Sequence, residues 1–189
     1  MEYFLGIAFA LLFPTALALS LGIEPEITFQ RIEQTMGYDI WHTHLRVTKF
    51  NRSCAIINGT GDIFVDLDNS YTVTSVPYFK LSSRSRLGNN QFNISPFKIP
   101  EQPFCHFMNG TYREYQSMFV NRSNLPIVGP SEGLCPFPAG QYWNKNVMFD
   151  ASQVPIAMPE GFWRVTLLVK RKNRSADFIV YLKMSRESF

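Results

Sequence analysis

A chain of 189 residues with 46% hydrophobic side chains is long enough to bury one substantial core and too apolar to stay disordered. Its 18 Lys and Arg against 15 Asp and Glu leave a net charge of +3, scattered along the chain, which excludes the basic footprint of a nucleic-acid-binding protein. Seventeen Phe, eight Tyr and three Trp suit buried strands better than exposed helices.

The first element is an uncharged run from Tyr3 to Ile23, apolar to Phe13 and small-residue-rich after Pro14. Ala16-Leu17-Ala18 has the small residues of a signal-peptidase site, so residues 1–18 are expected to be a signal peptide and 19–189 a single secreted domain. Pro14 interrupts the apolar helix, and no Lys or Arg flanks the run before Arg31; both argue against a retained anchor.

Beyond it the pattern has a period of two. Leu45 and Val47 alternate with Arg46 and Thr48, and Ile63, Val65 and Leu67 with Asp66 and Asp68; each set predicts a strand with one buried face. Asp68-Asn69-Ser70 turns the chain into another strand through Tyr71 and Val73, and Phe92 and Ile94 flank Asn93 in a shorter one. From Phe104 to about residue 120 the spacing changes: Phe104, Phe107 and Met108, then Tyr115, Met118 and Phe119, recur at three and four residues, as on a helix face. Thr111 with Glu114 is a capping box that places the helix start just after Gly110. Trp163, Val165, Leu167 and Val169, then Phe178, Val180, Leu182 and Met184, predict two final strands joined across the polar segment 171–176 as a hairpin, with Asp177 on its polar side. Six to eight such strands imply an all-β sandwich or barrel.

Six Asn-x-Ser/Thr sequons occur, at Asn51, Asn58, Asn93, Asn109, Asn121 and Asn173, where chance placement of this composition gives about 1.6. A glycan acceptor works only in the secretory pathway and at a solvated position, so the excess predicts an extracellular glycoprotein with these six residues at its surface.

The carboxyl-terminal half carries a signature: Cys135-Pro136-Phe137-Pro138-Ala139-Gly140-Gln141-Tyr142, then Met158-Pro159-Glu160-Gly161-Phe162-Trp163-Arg164-Val165 and a closing hairpin. This resembles the ML (myeloid-differentiation-related lipid-recognition) superfamily, nearest to the ganglioside-activator branch and its insect relatives, some of them chemosensory. The strong match runs from Cys105 to the end, with looser agreement around Phe50–Cys54 and Ile63–Leu67. The resemblance implies an immunoglobulin-like two-sheet antiparallel β-sandwich whose sheets splay into a lipid-binding cup, with no catalytic residues and no cofactor. It also implies a Cys105–Cys135 disulfide, while Phe178 stands where the family's partner for Cys54 would be, leaving Cys54 free or available to another chain. In such a cup the inward side chains line a cavity, and a ligand gains about 0.8 kcal/mol per buried methylene. Val65, Leu67, Trp163, Val165, Leu167 and Val180 from strands, with Met118 and Phe119 from the helix, are the candidate ligand-binding wall. The expected partner is a lipid, fatty acid, hydrocarbon or sterol, with a receptor or membrane surface beyond it.

Other chemistries find little support. His42 and His44 share a strand face without a Cys-x-x-Cys or His-Glu-x-x-His motif, so no metal site is expected. His106 beside Cys105 points away from it on a helix, no Gly-x-Ser-x-Gly elbow occurs, and Asp66 and Asp68 read as the solvated side of a strand; no enzyme is expected. The cluster Lys170-Arg171-Lys172-Asn173-Arg174 reads first as a solvated hairpin tip and second as an attraction to anionic headgroups. The alternative to a carrier is a secreted β-sandwich with a filled core that engages a receptor or channel through its loops.

Overall fold

The computed structural model describes residues 25–51, 54–81, 92–131, 133–149 and 159–186. The expected signal peptide lies outside them. Two antiparallel sheets face one another. The larger runs β1 (Pro25–Glu33), β10 (Arg174–Arg186), β9 (Gly161–Arg171), β5 (Thr72–Leu81) and β6 (Asn93–Ile94), with β7 (Gln102–Pro103) also on β5. The smaller is built on β4 (Ala55–Ile63), which pairs with β2 (Trp41–Thr43), β3 (Arg46–Lys49) and β8 (Gly140–Val147). Of the two architectures the alternation allows, sandwich or barrel, this is the all-β sandwich that the resemblance implies.

The closing hairpin shows why the alternation was legible. Val180 pairs with Val165, Leu182 with Trp163 and Phe178 with Leu167, so both strands turn the same apolar face inward. The turn is tighter than the polar segment suggests: Lys172 and Asn173 alone join the strands, Lys172 taking φ 45°. Asp177 departs from its expected solvated side. It is buried beneath the 34–40 loop, where its carboxylate accepts the N–H groups of Thr35 (2.7 Å) and Met36 (3.0 Å) and the Thr35 hydroxyl. Its backbone carbonyl accepts the Trp41 indole N–H at 3.2 Å. A buried carboxylate with this many donors fastens loop to sheet.

Two more expectations are corrected. The strand through Ile63, Val65 and Leu67 ends at Ile63; beyond it the chain makes only a bridge between Leu67 and Phe137, each donating its N–H to the other's carbonyl at 2.9 Å. Asp66 and Asp68 serve turns: Asp66 accepts the Ala139 N–H at 2.7 Å and Asp68 the Ser70 N–H at 2.9 Å. The Ser70 hydroxyl, then its N–H, hold the Asp68 carboxyl below its ordinary value.

The helix begins seven residues before its capping box. It winds as α1 (Phe104–Phe107), widens to a π-helix over Met108–Tyr112, resumes as α2 (Arg113–Tyr115) and tightens to a 3-10 turn over Gln116–Phe119. Tyr71 and the Asn69 side chain supply the missing cap from the preceding turn, accepting the N–H groups of Phe104 (2.9 Å) and Cys105 (3.1 Å). With those donors satisfied and Phe104, Cys105 and Met108 buried, Thr111 falls inside the helical segment.

Cys105 and Cys135 are bonded as the resemblance implies, and Cys54 is free and half-buried. The bridge, the Asn109 side chain accepting Leu134 N–H at 2.7 Å, and Gln116 holding Val128 through both its amide atoms tie the helix to the 120–138 loop. Thiol titration of denatured, unreduced protein is therefore expected to find one thiol per chain. Replacing both bridged cysteines by Ala is expected to lower the unfolding free energy by about 3.7 kcal/mol, read by urea denaturation, since a loop of sequence separation 30 is released.

Candidate functional site

Burial along the inward faces of β9 and β10 dips in the middle. On β9, Trp163 and Val169 at the two ends expose 1% and 0% of their surface, while Val165 and Leu167 between them are only half-buried. On β10, Ala176 (0%) and Met184 (1%) close the ends, and Phe178 and Val180 between them are again half-buried. A filled sandwich buries its centre most. Here the central residues border a cavity of about 440 Å³.

The wall has three parts. The larger sheet gives Phe29, Val165, Leu167, Phe178, Val180 and Leu182. The smaller gives Trp41, Thr43, Ile57, Gly61 and Ile63 from β2 and β4, and Tyr142, Asn144 and Val147 from β8, with His42 and Asp62 also bordering it. Met118 and Phe119 from the 3-10 turn, with Leu45, Leu125 and Phe149 from connecting segments, complete it. Around the hollow the sheets are held by filled clusters. One joins Ile40, Leu67, Tyr71, Val73, Phe104 and Phe137; another joins Trp163, Leu182 and Met184.

Of the eight wall candidates drawn from sequence, the structure brings five to the cavity: Met118, Phe119, Val165, Leu167 and Val180. The other three lie elsewhere. Leu67 is fully buried in the first cluster through its bridge to Phe137, and Val65 packs against the same cluster. Trp163 is sealed in the second, stacked on Phe79 at 5.4 Å with its indole N–H on the Pro159 carbonyl at 3.1 Å. The signature residues thus frame the site: Phe137 and Trp163 fill core, and the Tyr142 hydroxyl donates to Pro138 at 2.7 Å. Sequence reasoning missed Phe29, although Ile27 and Phe29 alternate with charged and polar neighbours, and it missed β8, whose Tyr142 and Val147 are separated by an irregular register.

The electrostatics of the wall are mild. Burial, then the neighbouring Tyr142, pushes the Tyr112 phenol up to about 12; its hydroxyl donates to Pro126 at 3.0 Å and its ring stacks on Phe119 of the wall at 6.0 Å. Burial, then the Asp66 charge, raises Tyr142 as well. The His42 and His44 rings sit 4.1 Å apart beside Asp62, which lies 3.5 Å from His44 Nε2. Among the described residues no group of three or more His, Cys, Asp or Glu is arranged to hold a metal ion. The hairpin-tip cations have local partners: Arg174 pairs with Asp39 at 2.7 Å, and Arg171 lies over the Tyr71 ring at 5.1 Å.

Four sequon asparagines are exposed: Asn51, Asn93, Asn121 and Asn173. Asn58 and Asn109 are half-buried, their side-chain carbonyls accepting backbone N–H groups of Asn146 (2.9 Å) and Leu134 (2.7 Å).

Against known proteins, a family model described as "Protein of unknown function (DUF1091)" matches residues 78–165, just under half of the chain. That family is ML-domain-like, which agrees with the resemblance at superfamily level and names no branch. No curated protein matches the chain. Among the described residues no helix is long and apolar enough to cross a membrane.

Two predictions follow from the wall. Leu67→Ala, in filled core, is expected to cost 2–5 kcal/mol by urea unfolding. Leu167→Ala, already facing a void, should cost measurably less. Because the folded Tyr112 pKa lies above its unfolded value, its contribution is intact below pH 10 and is lost as pH rises towards 12. Tyr112→Phe should flatten the fall of the urea midpoint across that window.

Proposed function

We propose that the protein is a secreted carrier that holds one hydrophobic molecule between its sheets and performs no reaction. The observation that carries the reading is the mid-sheet hollow of about 440 Å³ walled by Val, Leu, Ile and aromatic side chains. A dry apolar cavity of about 150 Å³ takes a benzene, so this one has room for a ligand of roughly eighteen carbons, the size of a single acyl or hydrocarbon chain. Sixteen methylenes transferred from water gain about 13 kcal/mol. After association costs of at least about 4 kcal/mol, that leaves at most about 9 kcal/mol, a Kd just below micromolar at its tightest. A filled-core interaction module has no use for such a void, which weighs against the receptor-binding alternative.

The disulfide supports an oxidising compartment, and the sequon excess supports the same extracellular setting. The ML-domain-like family match supports lipid recognition as the class of activity. The Cys135–Tyr142 and Pro159–Val165 motifs favour the ganglioside-activator side of that superfamily, and a chemosensory or lipid-presenting role is the matching biological reading.

Gly61 provides the test. It lies in the cavity wall, and a Cβ added there would find its nearest neighbour, the His42 carbonyl oxygen, at an unstrained 3.8 Å. Gly61→Phe should therefore fill the hollow while leaving the fold at least as stable, since Gly weakens a strand interior. The wild-type protein is expected to carry lipid through purification, seen by native mass spectrometry, and to bind a fluorescent long-chain fatty acid. Gly61→Phe should weaken that binding at least tenfold with no loss in melting temperature. Lipid-free wild-type protein that ignores the probe, or a variant that binds it as well as wild type, would overturn the reading.

A further inference from the structure

One side chain in the cavity wall does not match its apolar surroundings. Thr43 is the last residue of β2 and pairs with Gly61 of β4, which pairs in turn with Tyr142 of β8. Its neighbours settle its direction. The rings of His42 and His44 lie 4.1 Å apart, so those two share one face of the chain and Thr43 between them takes the other. That face is the hollow: Trp41, Thr43 and Leu45 all border it, and the adjacent Gly61 has no side chain to shield Thr43.

The Thr43 hydroxyl oxygen is buried, and among the described residues it has no hydrogen-bond partner. The backbone N–H of the same residue is satisfied, donating to Gln34 Oε1 at 2.9 Å, so the deficit belongs to the hydroxyl. An unpaired buried hydroxyl costs free energy that valine, of nearly the same shape, would not. The hydroxyl finds its use if its partner arrives with the ligand. Other polar groups of the wall are committed elsewhere: Tyr142 donates to Pro138, and Asp62, across from His42, meets His44 at 3.5 Å and accepts the Gln141 amide at 3.0 Å. Among the described residues no Lys or Arg lines the hollow. A carboxylate drawn in to Thr43 would therefore be buried without a counter-charge, whereas a neutral hydroxyl or carbonyl would not.

We propose that Thr43 is the polar contact of the cavity, selecting long-chain molecules that carry a neutral oxygen, such as fatty alcohols, over plain hydrocarbons and over the carboxylate of a fatty acid. This deepens the carrier reading and rests on it. Rotation about the Thr43 Cα–Cβ bond exchanges the hydroxyl and methyl positions, which lets an oxygen tucked into the wall turn to meet the ligand. A fatty acid still binds through its chain, but its head gains nothing from Thr43.

The test is displacement of a fluorescent long-chain fatty acid from the full secreted protein by hexadecane, hexadecan-1-ol or palmitate. The informative quantity is the ratio of alkane to alcohol dissociation constants, compared between wild type and Thr43→Val, because the aqueous behaviour of each ligand cancels. Thr43→Val should lower that ratio about fivefold, the fold-change of one net hydrogen bond. Thr43→Ser should keep it, and palmitate should bind wild type and Thr43→Val alike. The melting temperature of delipidated Thr43→Val should equal or exceed that of wild type, since no hydrogen bond of the fold is lost. An unchanged ratio, a clear fall in melting temperature, or a ratio that responds to Asn144→Leu and not to Thr43→Val would overturn the proposal while leaving the carrier reading intact. A wild-type protein that binds no probe at all would overturn both.

Discussion

Everything distinctive about this protein depends on Val165, Leu167, Phe178 and Val180 bordering a hollow instead of being fully buried at the centre of the sandwich. Apolar faces of facing sheets are driven together, and each square ångström left uncovered forgoes about 25 cal/mol. A central hollow persists only if the surroundings hold the sheets open. Two features do so. The filled cluster around Leu67, Tyr71, Val73 and Phe137 props one end, and the cluster of Trp163, Leu182 and Met184 props the other. The helical segment then lays Met118 and Phe119 against the cavity.

That segment stays in place through constraints distributed along its length. The Cys105–Cys135 bridge fixes its first turn, Asn109 its middle and Gln116 its end. Along these anchors its pitch changes from α to π, back to α and then to 3-10. On the smaller sheet, a bulge at Gly59 (φ 129°) brings β4 so close to the His44 carbonyl that a Cβ there would lie 2.4 Å from its oxygen. Only glycine fits that approach.

The closing hairpin could be read from residues 163–184 because both strands keep strict alternation and pair without a bulge. β8 could not, since its register with β4 slips between Ile57 and Gly59 and its side chains lose a clean period. The capping box at Thr111 misled because caps are local signals, while this helix takes its cap from Asn69 and Tyr71, more than thirty residues earlier in the chain. The hollow itself was not legible. Val165 and Val169 are the same residue on the same face of one strand, yet one borders the cavity and the other is fully buried. Val169 packs into the filled cluster with Tyr71 and Phe137 while Val165 does not, and that cluster is assembled from residues far away in sequence.

The most direct probe of the hollow is an isotope-filtered nuclear Overhauser experiment on methyl-labelled protein with unlabelled palmitate. Cross-peaks from the acyl chain to Val165, Leu167 and Val180, with none to Val73 or Val169, are the result expected if the chain lies between the sheets. An acyl chain that contacts none of those three methyl groups, or lies against the outer face alone, would contradict the account.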